Sequence, residues 1–207
     1  MVTVGCIAGL LIGGVLIASL DLGAKAHVLC VLGWSSLWLS TLAYISVRGE
    51  CLEARGLKTS SMTHLGIGLL VGVVGMPVAS GVAGAVRELL GRAPENPQLA
   101  YILIEGAPIW MTALIGLLVV IVQPLAEEIL FRGTLFSSIQ EVWGSRVAIV
   151  GSAVLFGAMH GELSVVAGTM ALGMAFGLLR ARTGSIMPAY IAHVANNGIA
   201  FLIIHLG

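Results

Sequence analysis

Apolar residues along this chain occur in long blocks. Gly106 to Ala126 contains no charge, nor does Leu65 to Val86, and Lys25 and Arg48 bracket a third stretch whose one basic group is His27. A helix needs roughly 20 apolar residues to cross the hydrocarbon core of a bilayer, and these blocks reach that length. Dividing the chain at charges, prolines and glycines predicts about seven spans, near residues 2–20, 26–47, 65–86, 106–126, 147–161, 163–179 and 185–206. The fifth and sixth fall short of a full crossing and are expected to be tilted, broken or enclosed by protein. The pattern predicts an all-α fold: a polytopic transmembrane bundle of about seven helices, with six to eight as the range. One domain over 1–207 is the economical reading.

Composition agrees. Hydrophobic residues make up 58% of the 207 positions and charged residues 10%, whereas a soluble domain carries about 25% charged residues to cover its surface. Twenty-eight glycines suit helices packed closely in lipid, where small residues let backbones approach. Ten basic and ten acidic residues cancel, so nothing points to nucleic acid. Cys6, Cys30 and Cys51 are scattered without metal-ligand spacing and read as small core residues. Val2 to Leu20 lacks a basic flank and reads as a retained first helix rather than a cleaved signal. The expected location is a prokaryotic cytoplasmic membrane, crossed several times.

Basic residues in short loops set orientation. Arg48, Arg55 and Lys58, then Arg132 and Arg146, then Arg180 and Arg182 fall between alternate spans. Those three loops are expected on one face, the cytoplasmic one. Arg87 and Arg92 oppose them from the other face.

Ionisable groups at membrane depth are costly and mark function by default. Three places stand out. Glu127 and Glu128 close the span at 106–126, with Arg132 four residues after Glu128, so Glu128 and Arg132 share a helical face and can pair. Glu127 projects about 100° away and has Phe131 in the corresponding position, which leaves it available to a cavity. His160 ends a short apolar span that contains Phe156, and His193 and Asn197 share one face of the last span. Taken singly, each place has a structural explanation: a snorkelling ion pair, or polar groups joining helices. Glu162 reads as a loop cap.

The ordered set Glu127-Glu128-x-x-x-Arg132, Phe156-x-x-x-His160 and His193-x-x-x-Asn197 resembles the signature of the CPBP family, the CAAX proteases and bacteriocin-processing enzymes also called the Abi family of glutamic intramembrane peptidases. The resemblance covers residues 106–207, the expected catalytic core, and leaves 1–105 as N-terminal helices of a kind variable in that family. It implies that Glu127 is a general base acting on water, that His160 holds and polarises that water, and that His193 and Asn197 donate to the oxyanion. Glu128 and Arg132 would brace the site. It implies no cofactor. Glu127, His160 and His193 could formally bind zinc with one open position, a minority alternative. The substrate would be a membrane-associated or C-terminally anchored protein or peptide, with the bilayer as the other partner. A non-proteolytic transporter or peptide-immunity protein is the alternative function.

One tension accompanies this reading. If Arg146 lay at the cytoplasmic surface, a straight helix would carry His160 about 21 Å away, too far to meet a Glu127 near that surface. Extension of the fourth helix through Glu127, supported by Ile129, Leu130, Phe131, Leu135 and Phe136, would place the carboxylate deeper.

Overall fold

The structure is a computed structural model that describes residues 51–92 and 106–206, with isolated positions between 33 and 49. The span expected at 2–20 and most of that at 26–47, with Cys6, His27 and Cys30, lie outside the described residues. All described secondary structure is helical. Helix α1 is Met62–Leu89. A composite helix comes next, made of α2 (Ile109–Gly116), a π-helical turn π1 (Leu117–Val122), α3 (Gln123–Glu128), a second π-helical turn π2 (Ile129–Leu135) and α4 (Phe136–Ala158). Helices α5 (Leu163–Thr183) and α6 (Met187–Leu206) complete the chain.

Four of these helical stretches are long and apolar enough to cross a membrane. Their outward faces carry Leu69, Leu70, Val73 and Val74 on α1, Val150 and Val154 on α4, and Leu202 and Ile203 on α6, all exposed. A soluble monomer does not present apolar surface so continuously. The protein is an integral, multi-pass membrane protein, with lipid as the solvent for those faces.

The chain between the spans expected at 106–126 and 147–161 is helical, not a loop. Helix continues past Glu127 and breaks at one residue inside α4, Gly144, whose φ of 80° and ψ of 171° suit a residue without Cβ. There the chain doubles back. Glu127 lies seventeen residues before the break and His160 sixteen after it, so both stand about 25 Å from the turn. Phe131 and Phe156, nearly equidistant from Gly144, meet edge to face with centroids 5.3 Å apart. The tension between Arg146 and His160 is thereby removed. Helix α5 has 21 residues, long enough to cross, in contrast to the shorter span expected at 163–179.

Grouping of the basic residues is as expected, with one correction. Arg55 donates to Ser138, the Ser185 hydroxyl to the Lys58 carbonyl, and Arg180 to Ser137, so the three segments meet at one end of the bundle. Arg87 and Arg92 meet Glu162 at the other. Arg132 is not a loop residue at all. It is fully buried, because Glu128 compensates its charge.

Small residues set the helix spacing. A Cβ at Gly68 would stand 2.3 Å from the Pro188 carbonyl oxygen, and one at Gly72 2.2 Å from that of Ala192. These two glycines, four apart on α1, allow α6 to lie directly against it. Gly168 holds α5 against α1 in the same way, with the Ala79 carbonyl 2.7 Å from its ideal Cβ. Gly72→Leu should therefore destabilise the protein by at least about 1–3 kcal/mol, the ordinary cost of overpacking. Gly66→Ala, where an added Cβ meets nothing within 4 Å, should be neutral or mildly stabilising. Thermal unfolding in detergent checks both; equal effects would contradict this account of the packing.

Candidate active site

Glu127 and Glu128 end the short α3 between the two π turns. A π turn inserts one extra residue per turn and rotates the residues beyond it, and such turns recur at functional sites. Here they flank the short segment whose two adjacent carboxylates enter different surroundings. The Glu128 side chain is 0% exposed, while that of Glu127 is 18% exposed. The expected pairing of Glu128 with Arg132 agrees with the structure, and Glu127 stands outside that pair.

Around Glu128 the core closes from four directions. Its Oε1 accepts from Arg132 Nη1 at 3.0 Å and lies 3.0 Å from His193 Nδ1. Arg132 Nη2 donates to the Gly173 carbonyl of α5 at 3.2 Å. The guanidinium carbon lies 4.4 Å from the Phe156 ring centroid and 5.3 Å from that of Phe176, where a desolvated cation–π contact contributes about 2 kcal/mol. Glu128 Oε2 and Arg132 Nε have no hydrogen-bond partner among the described residues, so the aromatic faces carry part of the compensation. Phe156 is more than packing for its own helix: its ring meets Arg132, His160 and His193 together.

His193 stands between the glutamates. A carboxylate can only accept, so Nδ1 is the protonated nitrogen toward Glu128, and Nε2 faces Glu127 Oε2 at 3.7 Å. His160 Nδ1 lies 3.0 Å from the Phe156 carbonyl. It must donate there, which leaves Nε2 as the acceptor of the neutral ring. His160 also lies within electrostatic reach of Glu127. Glu127, His160 and His193 are thus brought to one place, although no three His, Cys, Asp or Glu side chains among the described residues are grouped as metal ligands.

Asn197 is on the same face of α6, but its amide is partly committed. Nδ2 donates to the Val119 carbonyl at 3.0 Å and Oδ1 accepts from Asn196. The reason lies in π1. The Gln123 amide reaches back to Leu118 instead of Val119, and Pro124 has no amide hydrogen to offer in its place. Asn197 supplies the missing donor. Tyr190, whose hydroxyl donates to the Ile121 carbonyl at 3.4 Å, joins the same stretch. Neither contact can be read from sequence spacing, because both depend on where the π turn falls.

Glu162, expected as a loop cap, is the N-cap of α5. Its carboxylate accepts the amides of Ser164 and Val165 and the Ser164 hydroxyl, and pairs with Arg92 at 3.0 Å. The Ser164 hydroxyl foremost, then those amides and Arg87, hold its carboxyl at about 2, below the ordinary 4.5.

A multi-pass helical protein with a carboxylate pair, two histidines and an asparagine gathered between its helices has the makings of a membrane peptidase, and comparison with known proteins bears this out. A family model described as type II CAAX prenyl endopeptidase Rce1-like matches residues 109–199. The Bacillus subtilis (strain 168) protein named "Putative membrane peptidase YdiL" is 29% identical over 171 residues, which cover 79% of this chain and 68% of that protein. Both matches are consistent with the resemblance to the CPBP family, and the matched region holds all six residues of the expected site. No solved structure matches the chain significantly.

This geometry has two testable consequences. Arg132→Met should destabilise the protein by about 3–5 kcal/mol, because it strands a buried carboxylate; a melting temperature equal to wild type would show that the pair contributes nothing. Glu162→Gln should lower the melting temperature at pH 7. A depressed folded-state pKa contributes stability above the unfolded value and loses it as pH falls through the folded one. The gap from wild type should be full above about pH 4.5 and close toward pH 2; a gap that persists unchanged at pH 2 would exclude the charge as its cause.

Proposed function

We propose that this membrane peptidase is an intramembrane endopeptidase that hydrolyses a peptide bond with water activated by Glu127. The carrying observation is the contrast between adjacent carboxylates: Glu128 is sealed into an ion pair, while Glu127 stays partly open beside the His193 imidazole. In this reading Glu127 takes a proton from water as its oxygen bonds to the scissile carbonyl carbon. His160 Nε2, the acceptor of its neutral ring, holds the same water. The carbonyl oxygen gains charge, and a protonated His193, with Nδ1–H on Glu128, offers Nε2–H to it. The second amide hydrogen of Asn197 offers another. Collapse breaks the C–N bond, and the proton held by Glu127 passes to the leaving amine.

General base catalysis contributes about 100–10,000-fold, and one oxyanion donor about 100–1,000-fold. Neither step requires a cofactor. The substrate is a membrane-associated or C-terminally anchored protein or peptide, which reaches the site from within or beside the bilayer of a prokaryotic cytoplasmic membrane.

The test is cleavage of a peptide library by purified protein in detergent, with and without a chelator. Wild type should cleave in both conditions, and Glu127→Gln should lose about 100-fold or more while remaining monodisperse. Cleavage abolished by chelator would indicate zinc at Glu127, His160 and His193 instead, and undiminished cleavage by the folded variant would remove Glu127 from the chemistry.

A further inference from the structure

Arg180 has the sequence position of a loop cation, yet it is 6% exposed. Its hydrogen bonds run to backbone and hydroxyl oxygens. Nε donates to the Arg132 carbonyl at 3.1 Å, and Nη2 donates to Ser137 Oγ at 3.2 Å and points to the Ala54 carbonyl at 3.5 Å. The guanidinium lies over the Phe136 ring, 5.6 Å from its centroid. Gly56 closes over it so tightly that an added Cβ would stand 2.6 Å from Nε. A buried cation confined this closely has a specific task, since surface presentation would be the cheaper arrangement.

The task is visible in π2. In an α-helix the Phe136 amide would donate to the Arg132 carbonyl. Here it donates to Phe131, which deprives the Arg132 carbonyl of that α-helical donor. A buried carbonyl left in that state is costly, and reversion to a plain α-helix would restore its bond. Reversion would also rotate the segment that carries Arg132 relative to Glu127 and Glu128, by about one residue or 100°. Arg180 removes the incentive by donating to that carbonyl. It stands to π2 as Asn197 stands to π1, where the Val119 carbonyl accepts from an amide side chain.

We infer that Arg180 is a positioning residue: from α5 it keeps π2 open, and through π2 it fixes Arg132 and the directions of the two glutamates. This rests on the reading of Glu127 as the working carboxylate. The residue touches neither substrate nor the reacting atoms, so its loss should act on turnover through geometry, where a displacement of about 1 Å can cost about 100-fold.

Arg180→Met keeps length and apolar bulk and removes every donor. Arg180→Lys keeps charge, but one ammonium cannot reproduce the planar guanidinium that serves Arg132 and Ser137 together. Two readouts apply to each variant in detergent: the rate at which dicyclohexylcarbodiimide labels Glu127, followed by mass spectrometry, and kcat and KM on a cleaved peptide. The Met variant should change labelling at least about threefold and lower kcat about 10–100-fold with KM within about threefold. The Lys variant should lie between it and wild type. A folded Met variant with wild-type labelling and kcat overturns the inference. Where the Met variant does not fold, a Lys variant with wild-type labelling and kcat does so. Labelling needs no proteolysis, so absence of cleavage by wild type would count against the peptidase mechanism alone and leave Arg180 to be judged by labelling.

Discussion

A carboxylate and a guanidinium withdrawn from water are stable together only when their surroundings replace the lost solvation, and removal of either partner leaves a charge the core cannot hold. Glu128 and Arg132 are in that position, both 0% exposed and 3.0 Å apart. Everything near them serves the pair. His193 from α6 donates to the carboxylate, the Gly173 carbonyl from α5 accepts from the guanidinium, and the rings of Phe156 and Phe176 cover its faces. Helices α5 and α6 and the returning limb of α4 are thereby tied to the segment that carries the pair, at one level of the bundle. Those same contacts bring His193 and Phe156, and with Phe156 the neighbouring His160, beside Glu127.

The pair also divides labour between neighbouring residues of identical chemistry. Two carboxylates one residue apart on a regular helix would differ only in direction. The flanking π turns, each stabilised by a side chain from another helix, fix that direction, and the pairing decides the rest. Glu128 is consumed by structure. Glu127, with its side chain 18% exposed, keeps an edge open to whatever enters between the helices. In the proposed mechanism, that edge is where water and a peptide carbonyl meet.

Much of this is legible in the sequence. Membrane character is evident from block length alone, and the pairing of Glu128 with Arg132 from their spacing of four. The convergence of Glu127, His160 and His193 comes from resemblance, since nothing in the periodicity brings distant helices together. The features that sequence reasoning misses have a common cause. Accumulated charges between Ala126 and Val147 suggest a loop, but Glu128 and Arg132 are compensated inside the fold, Glu141 and Arg146 sit exposed on helix, and the break falls at Gly144. Arg132 reads as a loop cation although Glu128 buries it, and Arg180 does so although backbone and hydroxyl oxygens accept its hydrogen bonds. The π turns leave no periodic signature, and the contacts of Asn197, Tyr190 and Arg180 depend on them. Pro124, which denies π1 a backbone donor, is the one local signal that points there.

The most direct test of this division of labour is parallel thermal unfolding of Glu127→Gln and Glu128→Gln in detergent. The Glu127 variant should melt with wild type, because its carboxylate is not part of the buried pair. The Glu128 variant should lose about 3–5 kcal/mol, because it strands the Arg132 charge. Equal melting of the two, or a fragile Glu127 variant beside a robust Glu128 variant, would contradict the claim that the ion pair carries the structure and frees its neighbour for chemistry.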